Sequence, residues 1–204
     1  MSPQTRKLLI ATHNRGKVAE LTRMLSGIAC DLLSLSDVPD VKEVAETGTT
    51  FAENAAIKAS GYASQSRHLS LADDSGLEVE ALDGRPGIYS ARYGGEGTSF
   101  AEKMASLLSE LSETGGQNRR ARFVCAMALA SDTSEILFRS EGICEGTIAP
   151  DPRGSGGFGY DPLFIPDGFN KTFGELDEAI KQKISHRAGA FCQIIPFLRH
   201  FIAI

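Results

Sequence analysis

The chain has no tryptophan, few cysteines and no excess of basic residues. Each shortage excludes something. The cysteines are Cys30, Cys125, Cys144 and Cys192, and no two are close enough for a CxxC motif. Three lie in apolar sequence, so reduced, buried thiols in a reducing cytosol fit better than a disulfide framework or a zinc site. Lys and Arg total 21 against 26 Asp and Glu, a formal net charge of −5. That balance argues against a broad surface for a nucleic acid polymer. No run approaches the roughly 18 apolar residues of a membrane span. Residues 1–7 lack the apolar core and small-residue cleavage site of a signal peptide, so a cytoplasmic protein without a membrane partner is expected. What is present is ordinary globular composition, 42% hydrophobic and 23% charged over 204 residues. Such a length builds one domain, or two small lobes sharing a core, without disulfide or metal staples.

The pattern along the chain is α/β. Leu8-Leu9-Ile10-Ala11 reads as a short buried strand. After a polar break, Val18, Leu21, Met24 and Leu25 recur at helical spacing. A second strand is expected over 31–35. Thr50-Phe51-Ala52-Glu53 is a capping box opening an alanine-rich helix to about Ser66. Leu69-Ser70-Leu71-Ala72 reads as a strand running into Asp73-Asp74-Ser75-Gly76, with extended chain continuing to Leu82. Ser99-Phe100-Ala101-Glu102 is a second capping box, for a helix to about Glu113. Residues 122–130 and 135–144 read as strands joined by a polar turn, an antiparallel hairpin. Residues 142–174 are rich in Gly and Pro. Thr172-Phe173-Gly174-Glu175 matches a third capping box, expected to lead into one or two helices ending near Arg199. Pro196 is expected to end or kink the last of them.

Five polar clusters carry candidate chemistry. Thr12-His13-Asn14-Arg15-Gly16-Lys17 lies between a strand and a helix. Free amides, the helix dipole and Lys17 suit an anion there, while a plain cap by Asn14 explains the same residues. It is not a Walker A loop, because the spacing is absent. Asp73-Asp74 sits at the end of an apolar strand, where two carboxylates need compensation. A hard cation such as Mg²⁺ would supply it, and an Asp-rich turn is the plainer reading. Adjacent residues on extended chain face opposite ways, so one carboxylate would face a site and the other support the loop. Glu46 offers a further carboxylate, with Glu53, Asn54 and Lys58 on the following helix; Glu53 reads as a cap and Lys58 as a solvated lysine. Gly154, Gly156 and Gly159 match G-x-G-x-x-G, but Pro162 disfavours the helix a dinucleotide fold requires. Phe158, Gly159, Tyr160 and Asp161 instead suit a flat base, with aromatic faces to stack and Asp161 to read an edge. Lys181, His186 and Arg187 cluster at a break between helices, where they answer a helix dipole or bind phosphate or base.

Together these segments resemble the inosine triphosphate pyrophosphatase family, the XTP/dITP diphosphatases. The resemblance rests on Ala11-Thr12-His13-Asn14-Arg15-Gly16-Lys17, on residues 46–55, Ala72-Asp73-Asp74-Ser75-Gly76-Leu77, Pro86-Gly87-Ile88-Tyr89-Ser90-Ala91-Arg92, residues 157–162 and Ser185-His186-Arg187, in family order over almost the whole chain. It implies an elongated mixed sheet flanked by helices, a single domain over 1–204 with two lobes and a cleft, the hairpin near 120–145 in the second lobe. It implies Mg²⁺-dependent hydrolysis of dITP, ITP or XTP to the monophosphate and pyrophosphate, and a homodimer. By motif position Asp74 would accept the proton and ligate metal, with Glu46 near the metal. Thr12, His13, Asn14, Arg15, Gly16, Lys17, Ser75, Phe158, Gly159, Tyr160, Asp161, Lys181, His186 and Arg187 would contact the purine nucleotide. A modified-pyrimidine pyrophosphatase and a non-catalytic nucleotide sensor are the rival readings.

Overall fold

A computed structural model describes residues 6–95 and 97–203. Residues 1–5, on which most of the reading of the N-terminus falls, lie outside the described residues. Among the described residues, six strands form one sheet, in the order β2-β1-β3-β4-β5-β6, with five helices. The strands are β1 (Lys7–Ile10), β2 (Asp31–Ser34), β3 (Leu69–Val79), β4 (Arg120–Ala130), β5 (Ile136–Ile148) and β6 (Phe164–Pro166). The helices are α1 (Arg15–Leu25), α2 (Phe51–Ser66), α3 (Phe100–Glu113), α4 (Glu178–Ile184) and α5 (His186–Ala203).

β1 is parallel to both neighbours, with Leu9 opposite Leu33 of β2 and Ser70 of β3. Its Leu8, Leu9 and Ile10 are all buried, as expected where helices cover both faces of parallel strands. Only residues 131–135 join β4 to β5, too few for a parallel crossover, so these neighbours form the expected antiparallel hairpin. β5 runs antiparallel to β6, pairing Thr147 with Ile165. Buried and exposed residues alternate along β5, the signature of a strand with one wet face.

The chain divides into two compact units. Unit 1 comprises Met1–Asp74, Cys125–Gly142 and Ala188–Ile204. Unit 2 comprises Ser75–Val124 and Ile143–Arg187. Leu8, Ile10, Leu21, Leu71, Met127, Phe191 and Leu198 belong to the core of unit 1. Leu77, Leu107, Leu111, Phe123, Tyr160, Phe164 and Phe173 belong to that of unit 2. The tip of the β4–β5 hairpin falls in unit 1 and its open ends in unit 2.

Four local expectations are corrected. Ala81 and Leu82 are not extended but close a 3₁₀ turn, Glu80–Leu82. β6 is a short strand inside the Gly/Pro-rich stretch, too brief to leave a period in the sequence. Thr172 opens no helix: its hydroxyl donates to the Arg153 carbonyl at 2.7 Å rather than accepting from an amide. Asp177 caps α4 instead, accepting from the Ala179 amide at 3.2 Å. Pro196 does not end α5, which continues to Ala203; its fixed φ suits a helix, and the side chain is exposed. None of the four cysteines forms a disulfide. Cys125 and Cys144 are buried, and burial pushes the Cys144 thiol up to about 12, but Cys192 is exposed.

Candidate functional site

In unit 1 the residues after β1 are shaped by a cap. Asn14 Oδ1 accepts from the amides of Gly16 at 2.9 Å and Lys17 at 3.2 Å, and the Asn14 amide donates to Thr12 Oγ1 at 3.2 Å. A helix start has four free amides, and the cap occupies two of them. An anion here would therefore meet side chains more than backbone. His13 and Arg15 are exposed, and the His13 ring lies edge-on to Tyr62 at 6.3 Å. Lys17 turns towards β3, with Nζ 3.1 Å from Asp73 Oδ2.

Both aspartates lie inside β3, not in a turn. Asp73 is fully buried and Asp74 is 6% exposed. Each meets its own lysine. Lys58 Nζ lies 3.0 Å from Asp74 Oδ1 and 2.7 Å from Glu46 Oε1, so one ammonium bridges two carboxylates. Asn54 Nδ2 donates to Asp74 Oδ2 at 3.2 Å. Asn54 Oδ1 accepts from the Gly48 amide at 2.8 Å, which holds the loop carrying Glu46 beside α2. A Cβ on Gly48 would lie 2.7 Å from Glu53 Cβ and 2.8 Å from Asn54 Oδ1, so the approach needs glycine there.

Lys58 is therefore not the solvated lysine of the sequence reading; it is only 7% exposed. The signal that would have found it is polarity on an otherwise apolar helix face. Asn54 and Lys58 share the buried side of α2 with Phe51, Ala55, Ala59, Tyr62 and Ala63. Glu53 is the expected cap, but it reaches one residue further back. The Thr50 hydroxyl accepts from the Glu53 amide at 3.1 Å, while the Glu53 carboxylate accepts from the amide and hydroxyl of Thr49.

Charge and burial set the protonation of this cluster. Burial is the largest influence on Asp74 and raises its carboxyl above the usual range. Lys58 and Lys17 pull it back down, and Glu46 adds to the rise. Burial alone would lower the Lys58 ammonium, but Asp74, Asp73 and Glu46 outweigh it and raise it. The result is a proton-seeking carboxylate beside a fixed cation. Among the described residues no group of three His, Cys, Asp or Glu gathers to hold a metal. The carboxylate pair Glu46 and Asp74 is the donor set that does converge.

In unit 2 a second cluster begins at the next residue. Ser75 Oγ accepts from Arg187 Nη2 at 2.9 Å. Arg187 is 1% exposed, and its guanidinium carbon lies 5.6 Å from the centre of the Phe158 ring. Lys181 Nζ is 4.9 Å from the same centre, so two cations sit on one aromatic ring. Lys181 Nζ also lies 2.6 Å from Asp161 Oδ2, which accepts from the Phe158 amide at 2.7 Å. Asp161 thus ties its own loop to α4. The turn needs Gly157, at φ +70°, because a Cβ there would lie 2.0 Å from that carboxylate oxygen. His186 stacks on Phe123, with centroids 4.7 Å apart and planes 14° from parallel.

Two placements in this loop differ from expectation. Tyr160 packs within the core at 3% exposure, and its hydroxyl donates to the Ser90 carbonyl at 3.1 Å. Its ring presents no open face, and burial pushes its hydroxyl far above the usual tyrosine range. Asp161 is buried and engaged by Lys181 and the Phe158 amide, so its visible work is to hold the loop. Phe158 and Gly159 remain half-buried.

The chain is similar to known proteins over nearly its whole length. The profile of the Ham1 family matches residues 8–197. A dITP/XTP pyrophosphatase of an Exiguobacterium species is 51% identical over 197 residues, covering 95% of this chain and 99% of that protein. A dITP/XTP pyrophosphatase of Mycobacterium tuberculosis is 47% identical over 196 residues, covering 95% of each. The solved HAM1 protein of Coxiella burnetii superposes with a TM-score of 0.88 at 36% identity, covering 96% of this chain and 100% of that one. With the match running through both clusters and through nearly the whole sequence, the chain belongs to the Ham1 family.

Proposed function

We propose that the protein hydrolyses deaminated purine nucleoside triphosphates, dITP, ITP and XTP, to the monophosphate and pyrophosphate. The observation that carries the proposal is the junction at Asp74 and Ser75. Asp74 belongs to the carboxylate–lysine cluster and Ser75 to the cation–aromatic cluster, and one peptide bond joins them. This reading assigns phosphate chemistry to the first cluster and base recognition to the second. The names of the relatives support the substrate class.

Cleavage of the α–β anhydride needs a water aimed at the α-phosphorus and a group to take its proton. Asp74 serves as that group, since its raised pKa makes it a better acceptor than an exposed aspartate. Lys58 and Asn54 hold its two oxygens in place. Lys17 meets the phosphates as a point charge, with the side chains of Thr12, His13, Asn14 and Arg15 beside it. Glu46 and Asp74 would hold Mg²⁺; two carboxylates already sharing a cation at 2.7 and 3.0 Å fit a hard ion that takes its other ligands from phosphate and water. When bound, Mg²⁺ neutralises phosphate charge.

Phe158 offers its ring to the purine, and Lys181, His186 and Arg187 supply donors around it. A 6-oxo group accepts from them. Adenine carries an amino group there, so donors would face donors at about 1–3 kcal/mol for each one left unpaired. The protein works in the cytoplasm as a homodimer. Tyr89, Phe100, Ile143 and Phe169, all exposed and all in unit 2, supply apolar surface for association.

The experiment is pyrophosphate release from dITP, XTP, ATP and GTP, each with Mg²⁺ and with EDTA. Fast release from dITP and XTP with Mg²⁺ but not with EDTA, and slow release from ATP, is expected, with GTP reporting on the 2-position. Tight dITP binding without release from any of the four would overturn the proposal.

A further inference from the structure

Ser90 is a buried serine that no part of the reaction just described uses. Its hydroxyl accepts from the Leu77 amide at 2.9 Å and donates to the Gly87 carbonyl at 2.6 Å. Its carbonyl accepts from Tyr160 Oη at 3.1 Å. These contacts reach both supports of the base-reading cluster in unit 2. Leu77 lies two residues beyond Ser75 on β3, on the same face, and Ser75 holds Arg187. Tyr160 precedes Asp161, which holds the Phe158 amide and Lys181.

The segment around Ser90 is braced to receive these bonds. Glu78 of β3 bridges to Pro86, and the Val79 amide donates to the Arg85 carbonyl at 3.2 Å. The Ser90 amide donates to the Gly87 carbonyl at 3.0 Å, closing a 3₁₀ turn. Phe100 of α3 meets the Tyr160 ring edge-on at 5.5 Å. Ser90 thus ties β3 and the Gly-rich loop by hydrogen bonds on opposite sides of a single Cα.

We infer that Ser90 is a positioning residue for base discrimination, setting the register of Arg187 and Ser75 against Phe158 and Lys181 through Leu77 and Tyr160. The inference rests on the proposed preference for 6-oxo purines. Ser90 touches no substrate in this scheme. Donors that reject an amino group must be held to within a fraction of an ångström of the 6-position. A loosened register lets them turn aside, so adenine escapes its penalty while inosine keeps most of its binding.

Two variants and two readouts test this. Ser90→Ala removes the hydroxyl arm and leaves the carbonyl arm; Tyr160→Phe does the reverse. Each is expected to lower the ratio of kcat/KM for dITP over dATP by about tenfold, the size of one lost buried hydrogen bond. The KM for dITP should rise more than its kcat falls. Because both act through one residue, the double variant should fall short of the product of the singles. Ser90→Thr, which keeps the hydroxyl, should restore much of the ratio. A lower melting temperature with the dITP/dATP ratio unchanged in both single variants would show a merely structural role and overturn the inference. Equilibrium binding of dIMP against dAMP reads the same discrimination without turnover. An inactive wild type that still prefers dIMP, and loses the preference in Ser90→Ala, would fault the catalytic proposal and sustain this one.

Discussion

Asp74 and Lys58 respond to burial in opposite directions from the charges around them, and that opposition defines what each can do. The carboxyl of Asp74 titrates above the usual aspartate range. An acceptor must be ionised, so the acid limb of kcat/KM should lie above the ordinary value of about 4. Lys58→Gln removes the strongest attraction holding that pKa down, and the limb should move to higher pH still. Asp74→Asn should cut kcat by about 100-fold or more while changing KM only a few-fold, as for loss of a general base. Steady-state kinetics with dITP over a pH series checks all three. Lys58→Gln should also cost about 3 kcal/mol in urea unfolding, because two largely buried carboxylates lose their common cation. The aspartates were legible in sequence because paired carboxylates in an apolar strand demand compensation. Lys58 was not, since four residues after Asn54 on a helix suits a buried lysine and a solvated one equally. Only the packing of α2 against the strand chose between them.

The same limit operates at the level of elements. The Ser99 box forms as the sequence proposes: its hydroxyl accepts from the Glu102 amide, and the Glu102 carboxylate accepts from the Ser99 amide at 2.8 Å and its hydroxyl at 2.7 Å. Those two donors hold the Glu102 carboxyl below the usual range. A depressed acid stabilises the fold above its unfolded pKa, and that share is lost as pH falls through the folded value. Ser99→Ala should cost about 1 kcal/mol near neutrality as a lost helix cap, and whatever part Glu102 adds should fade in acid, below about pH 4. Thermal unfolding at both pH values measures the difference. The Thr172 match has the same letters and no helix, because its hydroxyl is claimed by Arg153, nineteen positions away in sequence. In α5, Pro196 leaves the helix one donor short. Pro196→Ala should restore that bond and stabilise the protein by about 1 kcal/mol or more, read from the same melts.

For the molecule as a whole, neither compact unit is a continuous stretch of chain. The chain passes between them at Asp74–Ser75, Val124–Cys125, Gly142–Ile143 and Arg187–Ala188. No single stretch between two of these boundaries contains a complete core. Heat or urea should therefore unfold the protein in one transition, with far-ultraviolet circular dichroism and tyrosine absorbance coinciding. Two separated transitions would show that the units fold independently.

The sequence alone determined the α/β class, the helix starts at Thr50 and Ser99, the β4–β5 hairpin and the residue types of both clusters. These depend on short-range periodicity, capping and turn chemistry, which neighbours along the chain decide. It also carried enough family pattern to indicate the reaction. Tertiary structure alone decided which polar residue meets which. It gave Asp73 to Lys17, gave Asp74 and Glu46 to Lys58, and turned Tyr160 inward to Ser90. Those outcomes turn on burial and on partners up to 112 positions apart, as with Arg187 and Ser75. A buried charge is tolerable only where distant segments bring its counter-charge within about 3 Å, and no local pattern records that distance.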